Sequence, residues 1–191
     1  MSATAALKQE HRVIEKMLKV LFAATQRLQA GEDVDPETLR KAVDFIRNFA
    51  DRCHHGKEED NLFPAMESRG VPKFGGPIGI MLVEHDEGRR HVRELAAALD
   101  KYEAGDRSPA VKSSIIAHAR GYAQLLSQHI EKEDSILYMI ADDVLSDTDQ
   151  EDLLTIFDRI EEQTIGHGEH EEYARLPEEL ERALQRQSAR A

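Results

Sequence analysis

The sequence predicts an all-α protein built as an antiparallel, up-down four-helix bundle with an extra C-terminal helical segment. Apolar residues recur mostly at helical spacing, and Gly and Pro separate the long periodic segments. No segment of any length alternates in the manner of a β-strand. With 191 residues, of which 40% are hydrophobic, the chain is long enough to bury a core of its own.

The first two helices follow from their start and stop signals. Apolar residues between Leu7 and Leu28 line one face of the first helix, which Gly31 ends. Asp35-Pro36 supplies an N-cap and a first-turn proline for the second helix. This second helix is expected to run to about Arg69.

The third and fourth helices start in a similar way. Gly75-Gly76-Pro77 opens the third helix, which ends at Gly105. Ser108-Pro109 caps a fourth helix that runs to about Leu145. These four helices form the predicted bundle domain, residues 1–145.

The remaining residues, 146–191, are predicted to form a C-terminal helical extension that packs on the bundle. Thr148 and Glu151 match a capping box at the start of a fifth helix. Gly166-His167-Gly168 interrupts the helical pattern. A polar helix from about Glu169 to Gln187 follows.

One segment occurs twice in the sequence, as His54–Phe63 and as His129–Tyr138. Aligned without gaps, the two copies share a His-x-x-x-Glu pair, a lysine, a leucine and a final aromatic residue. A single histidine precedes each copy at nearly the same interval. The repeated positions are His11, His54 and Glu58 in the first half and His85, His129 and Glu133 in the second.

The distances from the connecting turns place the four histidines at one level of the bundle. The first connection centres near Asp33 and the second near Arg107, and each histidine lies 21 or 22 residues from its turn. In antiparallel helices, equal distances from a turn mean equal heights, here about 33 Å at ~1.5 Å per residue. The four histidines can therefore meet in the bundle core.

Each later histidine carries a glutamate at i+4, on the same helical face. Buried carboxylates are costly unless their charge is compensated, so Glu58 and Glu133 imply bound cations. A nitrogen and oxygen donor set disfavours structural zinc and iron–sulfur clusters, and four histidines exceed what calcium or magnesium recruits. The donors favour iron, with zinc and manganese as alternatives, and six side chains suit two metals.

These motifs resemble the hemerythrin-like, or HHE cation-binding, family over about residues 5 to 145. The residues that carry the resemblance are Glu10-His11-Arg12, the run from His54 to Pro64, Glu84-His85, and His129 through Glu133. The resemblance implies two irons bridged by the two glutamates and by an oxo or hydroxo group. The implied ligands are His11, His54, Glu58, His85, His129 and Glu133.

A fifth histidine is also expected. Oxygen-carrying members of the family have one a turn after the position of His85, where this sequence has Arg89. The segment Gly166–Tyr173 resembles a His-Glu-x-Tyr segment of longer bacterial and archaeal members. We therefore predict His170 as the fifth nitrogen ligand, on a helix folded over the open end of the bundle. Such an extension argues against simple oxygen carriage.

Several neighbouring residues have lesser predicted roles. His55 and Glu59 face about 100° away from the ligand pair and are interpreted as supporting or interface residues. Glu15 is interpreted as orienting a ligand. Asp134 is interpreted as part of a solvated face, and Cys53 as a packing residue.

These features lead to three functional hypotheses. The first is a non-haem di-iron protein that binds, senses or handles oxygen, peroxide, nitric oxide or iron, with a small diatomic or peroxide molecule as its ligand. The second is a di-iron enzyme for peroxide disproportionation or iron–sulfur repair. The third is a metal-stabilised helical storage or interaction module.

Charge and composition narrow the partners. The net charge of −12 argues against nucleic acid or an anionic membrane surface. The single cysteine excludes an intramolecular disulfide and fits a reducing compartment. Residues 1–10 lack the apolar run of a signal peptide, and no stretch reaches about 20 apolar residues. We therefore expect a cytoplasmic monomer or homodimer.

Overall fold

The computed structural model describes residues 1–166 and 169–188, and the regular secondary structure in these ranges is all helical. In chain order the helices are α1 (Ala3–Gln29), α2 (Pro36–Phe45), π1 (Ile46–His55), π2 (Glu58–Leu62), α3 (Phe63–Ser68), α4 (Pro77–Glu103), α5 (Pro109–Lys132), π3 (Glu133–Leu137), α6 (Tyr138–Val144), α7 (Asp147–Thr164) and α8 (Glu169–Ser188).

Four helical rods form the bundle. The first is α1 and the third is α4, whereas the second spans 36–68 and the fourth spans 109–144 as joined α- and π-helical pieces. The rod α5 packs along both α1 and α4, and α2 packs against α4 and α1, which closes the ring. The predicted all-α bundle with an additional C-terminal helix is confirmed.

The predicted N-caps of the second and fourth rods are present. The Asp35 side chain accepts a hydrogen bond from the backbone N–H of Glu37, and the Ser108 side chain accepts one from Val111. Because a carboxylate or hydroxyl replaces the missing helical acceptor, each rod starts where its sequence signal lies.

The capping box at the start of α7 lies two residues earlier than predicted. Ser146 accepts from the backbone N–H of Asp149, and the Asp149 side chain accepts from the backbone N–H of Ser146. The prediction of Thr148 and Glu151 was wrong because the usual pattern has Glu or Gln at the third helical position, where this helix has aspartate.

The π-helical stretches are the main departure from the periodicity of the sequence. π1 ends at His55, π2 begins at Glu58, and π3 begins at Glu133, so all three border predicted metal ligands. A π-helix has more residues per turn than an α-helix and often occurs at functional sites. A regular α-helical wheel therefore misplaces side chains in these stretches.

Two apolar clusters fill the bundle, one on each side of the predicted ligand layer. The larger cluster includes Ile14 to Leu28 of α1 and Val92 to Leu99 of α4. The smaller cluster includes Ala3 and Leu7 of α1, with Ile78 and Met81 of α4. The layer between them holds buried histidines and glutamates, so the fold surrounds these polar groups with apolar side chains on both sides.

The C-terminal helices pack on the bundle: α7 contacts α1, π1 and π2, and α8 contacts α1 and α2. α7 contributes Leu153 and Phe157 to the smaller apolar cluster, and α8 contributes Leu180 and Leu184 to the larger one. The division of the chain into two domains at residue 145 stays a prediction. Among the described residues, no helix combines the length and the apolar character needed to cross a membrane.

Candidate metal centre

Four buried histidines meet in two pairs at the middle of the bundle. The Nε2 atoms of His11 and His54 are 3.0 Å apart, and those of His85 and His129 are 2.9 Å apart. Both pairs have ring centroids 4.7 Å apart and ring planes inclined by 61°. The two halves of the chain therefore build nearly the same local geometry, as the repeated motif predicts.

Each of these histidines points its other ring nitrogen, Nδ1, at a carboxylate. The pairs are His11 with Asp134 at 2.8 Å, His54 with Glu10 at 2.7 Å, His85 with Glu59 at 2.6 Å and His129 with Glu84 at 2.9 Å. An ionised carboxylate only accepts hydrogen bonds, so Nδ1 donates in all four pairs. In the neutral imidazole this leaves a lone pair on every Nε2 atom.

The converging Nε2 atoms fit metal binding. Two nitrogen lone pairs about 3 Å apart repel each other unless a proton or a metal cation lies between them. Two nitrogens at right angles around one metal, each about 2.1 Å from it, are ~3.0 Å apart, which is the spacing in both pairs. A carboxylate behind a ligating imidazole is the usual way in which proteins orient such a ligand.

Glu58 and Glu133 lie between the histidine pairs and are fully buried. Glu133 approaches His129 Nε2 at 3.1 Å and His11 Nε2 at 3.2 Å. Oε2 of Glu58 and both carboxylate oxygens of Glu133 have no hydrogen-bond partner among the described residues. Buried carboxylate oxygens without donors are costly, so these atoms are suited to bind a cation.

In the absence of metal, bound protons balance the buried charges of the centre, as the pKa shifts of its residues indicate. Burial and the neighbouring Glu133 charge raise the pKa of Glu58 well above its usual value. Burial also raises the pKa of Glu133, but the imidazoles of His129 and His11 outweigh it and hold that pKa well below the usual value. Burial lowers the pKa of His129, yet the Glu133 and Glu84 carboxylates raise it to about 9.

The repeat extends to the residues around the ligands. Lys57 binds Glu10, the carboxylate behind His54, and Lys132 binds Glu84 in the second half in the same way. Both lysines occupy matching positions of the aligned segments. These two ammonium groups compensate the charges of Glu10 and Glu84, the carboxylates behind the histidines. The charges of the central carboxylates, Glu58 and Glu133, are left for another cation to compensate.

The donor atoms divide into two groups that share Glu58. One group consists of His11, His54, Glu58 and Glu133, and the other of His55, Glu58, His85 and His129, with the donor atoms of each group within 4.8 Å of one another. Both groups are buried throughout. Each group could hold a cation, and Glu58 would then be close to both.

Two positions break the symmetry of the repeat. Tyr138 donates a 2.7 Å hydrogen bond to Glu58, whereas the matching residue in the first copy is Phe63. His55 joins the second group, whereas its matching residue in the second copy is Ile130. The two sides of the centre therefore differ in chemistry although the backbones are alike.

Six of the seven predicted ligands meet in the centre, and the seventh, His170, lies elsewhere. Its Nε2 atom is 3.5 Å from Glu10 and 3.8 Å from Glu161, beside the Lys57 ammonium. Its ring packs against Phe49, with the centroids 5.1 Å apart. His170 therefore reaches the carboxylate behind His54 and not the inner donor atoms. His167, in the predicted break before it, lies outside the described residues.

Other sequence-based interpretations have mixed outcomes. Asp134 is not part of a solvated face, since it accepts from His11 and binds Arg12. Glu59 has the predicted supporting role behind His85. Glu15 contacts Arg12 at 3.3 Å instead of a histidine.

Some contributors were missed, although the repeat contains a signal for them. Asp134 aligns with Glu59, and both follow the glutamate of the His-x-x-x-Glu pair. Glu10 and Glu84 each precede the single histidine of their half. Applying the repeat to the residues beside the ligands would have found all four carboxylates, but not Tyr138, since its counterpart Phe63 has no polar group.

A cavity of about 170 Å³ lies beside the second group of donors, and His55 forms part of its wall. Tyr122 lines it as well, and the Tyr122 hydroxyl is buried without a hydrogen-bond partner in the described part of the chain. Arg89, at the position where oxygen carriers have a histidine, borders the cavity and binds both Asp51 and Glu59. A cavity of this volume has room for a molecule of a few atoms.

Comparison with known proteins agrees with this geometry. Residues 2–141 match the family described as the hemerythrin HHE cation binding domain. Uncharacterized proteins of Mycobacterium tuberculosis and Mycobacterium bovis are each 24% identical over 178 residues, which make up 93% of this chain and 68% of each relative. The matched family range contains both donor groups and excludes His170.

A further relative carries a functional name. The iron-sulfur cluster repair protein DnrN of Neisseria gonorrhoeae is 28% identical over 134 residues, which make up 69% of this chain and 84% of that protein.

Proposed function

The chain belongs to the hemerythrin HHE cation-binding family, and on this basis we propose that it is a non-haem di-iron protein that binds a small ligand such as oxygen, peroxide or nitric oxide. The observation that carries this proposal is the convergence of four histidine Nε2 atoms on two buried carboxylates, Glu58 and Glu133. Three of the four carboxylate oxygens have no hydrogen-bond partner among the described residues. These donors would hold two irons, with Glu58 between them.

The donor set supports iron over structural zinc. The two groups of donors consist of imidazole nitrogens and carboxylate oxygens and contain no thiolate. Iron and manganese accept six ligands of the imidazole and carboxylate type, so they fit better than structural zinc.

When bound, the two irons supply redox equivalents and coordination positions for a small molecule. The chain supplies the surroundings. The carboxylates behind the histidines hold each imidazole with Nε2 facing inward. Burial and the adjacent Glu58 charge raise the pKa of Tyr138 well above its usual value, so this hydroxyl stays protonated and keeps its hydrogen bond to Glu58.

Metal analysis and an absorption spectrum of the purified, unreconstituted protein test this proposal. We expect two irons per chain and absorption in the near ultraviolet and visible range. Exposing the reduced protein to oxygen, peroxide and nitric oxide in turn, and recording the spectrum each time, identifies the ligand. A colourless protein that contains zinc would contradict the proposal and favour a metal-stabilised storage or interaction module.

Repair of iron–sulfur clusters is a second candidate function, and the similarity to DnrN favours it. The test is to add the iron-loaded protein to an iron–sulfur enzyme inactivated by nitric oxide and to follow the return of its activity. Recovery beyond that with an equal amount of free iron would support repair. Peroxide disproportionation is tested separately by oxygen evolution, with free iron as the control.

A further inference from the structure

We propose that His55 is a fifth nitrogen ligand and binds the metal held by His85 and His129, which makes the two metal sites unequal. The inference rests on the proposed di-metal function and adds a residue that the sequence pattern assigns to a supporting role. His55 is 4% exposed, and one of its ring nitrogens lies within 4.8 Å of donor atoms of Glu58, His85 and His129.

The contacts of the His55 ring suit a ligand. Its plane stacks on the His85 ring, with centroids 3.8 Å apart and an inclination of 16°, and it meets the His129 ring edge-on at 5.9 Å. Its Nδ1 atom faces Asp51 at 3.4 Å. A carboxylate on Nδ1 leaves Nε2 for a metal, as at the four paired histidines.

Arg89 explains how Asp51 is held in place. Nε of Arg89 donates to Asp51 at 2.8 Å, and its NH2 group donates to Glu59 at 2.6 Å, behind His85. Arg89 thus binds the carboxylates behind two histidines of the same group. Arg89 stands where oxygen carriers have their extra histidine. It therefore positions metal ligands but does not bind the metal itself.

An α-helical wheel places His55 on a face turned away from the centre. The backbone is π-helical there, which explains why its side chain lies at the centre instead. His55 is the last residue of π1, and Glu58 is the first residue of π2. Glu58 is four residues from His54 and three from His55. In the observed backbone, His54 joins one donor group, His55 joins the other, and Glu58 belongs to both.

The proposed asymmetry determines where a small ligand would bind. Ile130 matches His55 in the repeat and offers no donor, so the metal held by His11 and His54 has one nitrogen fewer. The Tyr138 hydroxyl lies next to this metal site, 3.3 Å from His11 Nε2. The site held by His11 and His54 has fewer protein ligands and is therefore the one that would accept an exogenous molecule.

Mössbauer spectra of the iron-loaded protein test the role of His55. We expect the wild type to show two unequal iron signals and His55→Ala to change one of them while the other stays. His118→Ala, which removes a partly exposed histidine outside both donor groups, should leave both signals unchanged. His170→Ala removes the histidine predicted from the sequence, which contacts Glu10 behind His54, and should leave the signal of the metal held by His85 and His129 unchanged. His55→Asn serves in the same way if the alanine variant does not fold.

Exogenous imidazole separates ligation from packing. Since His55 lines the cavity of about 170 Å³, imidazole can enter the space that His55→Ala leaves, and we expect it to restore the wild-type spectrum. An unchanged His55→Ala spectrum, a change that imidazole does not reverse, or a change only in His170→Ala would each overturn the inference. Wild-type protein without two irons would instead overturn the proposed di-iron function.

Discussion

The hydroxyl of Tyr138 donates a hydrogen bond to Oε1 of Glu58 across the bundle core, over 2.7 Å. This contact joins the second copy of the repeated motif to the central carboxylate of the first copy. Phe63 occupies the matching position in the first copy, and Glu133 has no hydrogen-bond donor among the described residues. The two central carboxylates therefore differ in their hydrogen bonding although they occupy matching positions of the repeat.

Replacing Tyr138 by phenylalanine should destabilise the metal-free protein. The change leaves a further oxygen of Glu58 buried without a donor, which costs about 1–3 kcal/mol of unfolding free energy. Urea unfolding of the metal-free protein measures the loss. Tyr122→Phe is the matched control because its hydroxyl is buried and has no hydrogen-bond partner among the described residues, so its removal should be neutral or slightly stabilising. Equal losses in both variants would contradict the role of the hydrogen bond.

Glu133→Gln should reduce the iron content below two per chain. The amide keeps the shape of the side chain but removes the negative charge, and Glu133 is buried next to His11 and His129. Metal analysis after loading under identical conditions measures the effect. Glu131→Gln alters an exposed carboxylate on the same rod and should keep the wild-type iron content. Full iron loading of Glu133→Gln would show that the Glu133 carboxylate is not needed to bind the metals.

The helices and the six central residues could be predicted because they depend on local patterns. Apolar spacing, prolines and caps set the rods, and equal distances from the turns brought His11, His54, His85 and His129 to one level. Each of these signals involves residues close in sequence or repeated at a fixed interval. The fold class and the layer of histidines and glutamates followed from them.

The positions of His55 and His170 relative to the centre could not be predicted in the same way. The direction of His55 depends on a π-helical backbone, which the 3.6-residue period does not describe. The position of His170 depends on how α8 docks, and the structure places it against Glu10 and Phe49. Both outcomes depend on tertiary packing and not on spacing along the chain.

Cys53 should react slowly with thiol reagents in the native protein. The side chain is 1% exposed, and burial raises the pKa of its thiol to about 12, so the reactive thiolate is scarce at neutral pH. Labelling with a chromogenic disulfide reagent should be slow without denaturant and should reach one thiol per chain in denaturant. Fast labelling of the native protein would show that Cys53 is accessible and would contradict its interpretation as a buried packing residue.

The metal-free protein should lose stability as the pH rises from about 6.5 to 9. The pKa of His129 is raised from 6.5 to about 9, so its protonation stabilises the fold below 6.5 and this contribution is lost as the pH passes 9. The pKa values of His11 and His170 are raised as well, which acts in the same direction.

The rise of the pKa of His129 from 6.5 to about 9 corresponds to a contribution of up to about 3 kcal/mol to the free energy of unfolding. Urea unfolding of the metal-free protein at a series of pH values measures it. His129→Gln should flatten the dependence, and bound metal should also reduce it because the metal replaces the protons. Stability that increases over this range would contradict the sign of the effect.

Glu10→Gln should weaken metal binding although Glu10 is not one of the inner donors. Its carboxylate accepts from His54 Nδ1 at 2.7 Å and holds the ring with Nε2 inward, and removing such a partner typically costs 10–100-fold in metal affinity. Glu84→Gln should have a similar effect, since Glu84 does the same for His129. Competition with a chelator measures the affinities. Glu15→Gln lies on the same helix, contacts only Arg12 in the described structure, and should leave the affinity unchanged. An affinity of Glu10→Gln equal to that of Glu15→Gln would show that the carboxylate behind the imidazole does not contribute to metal binding.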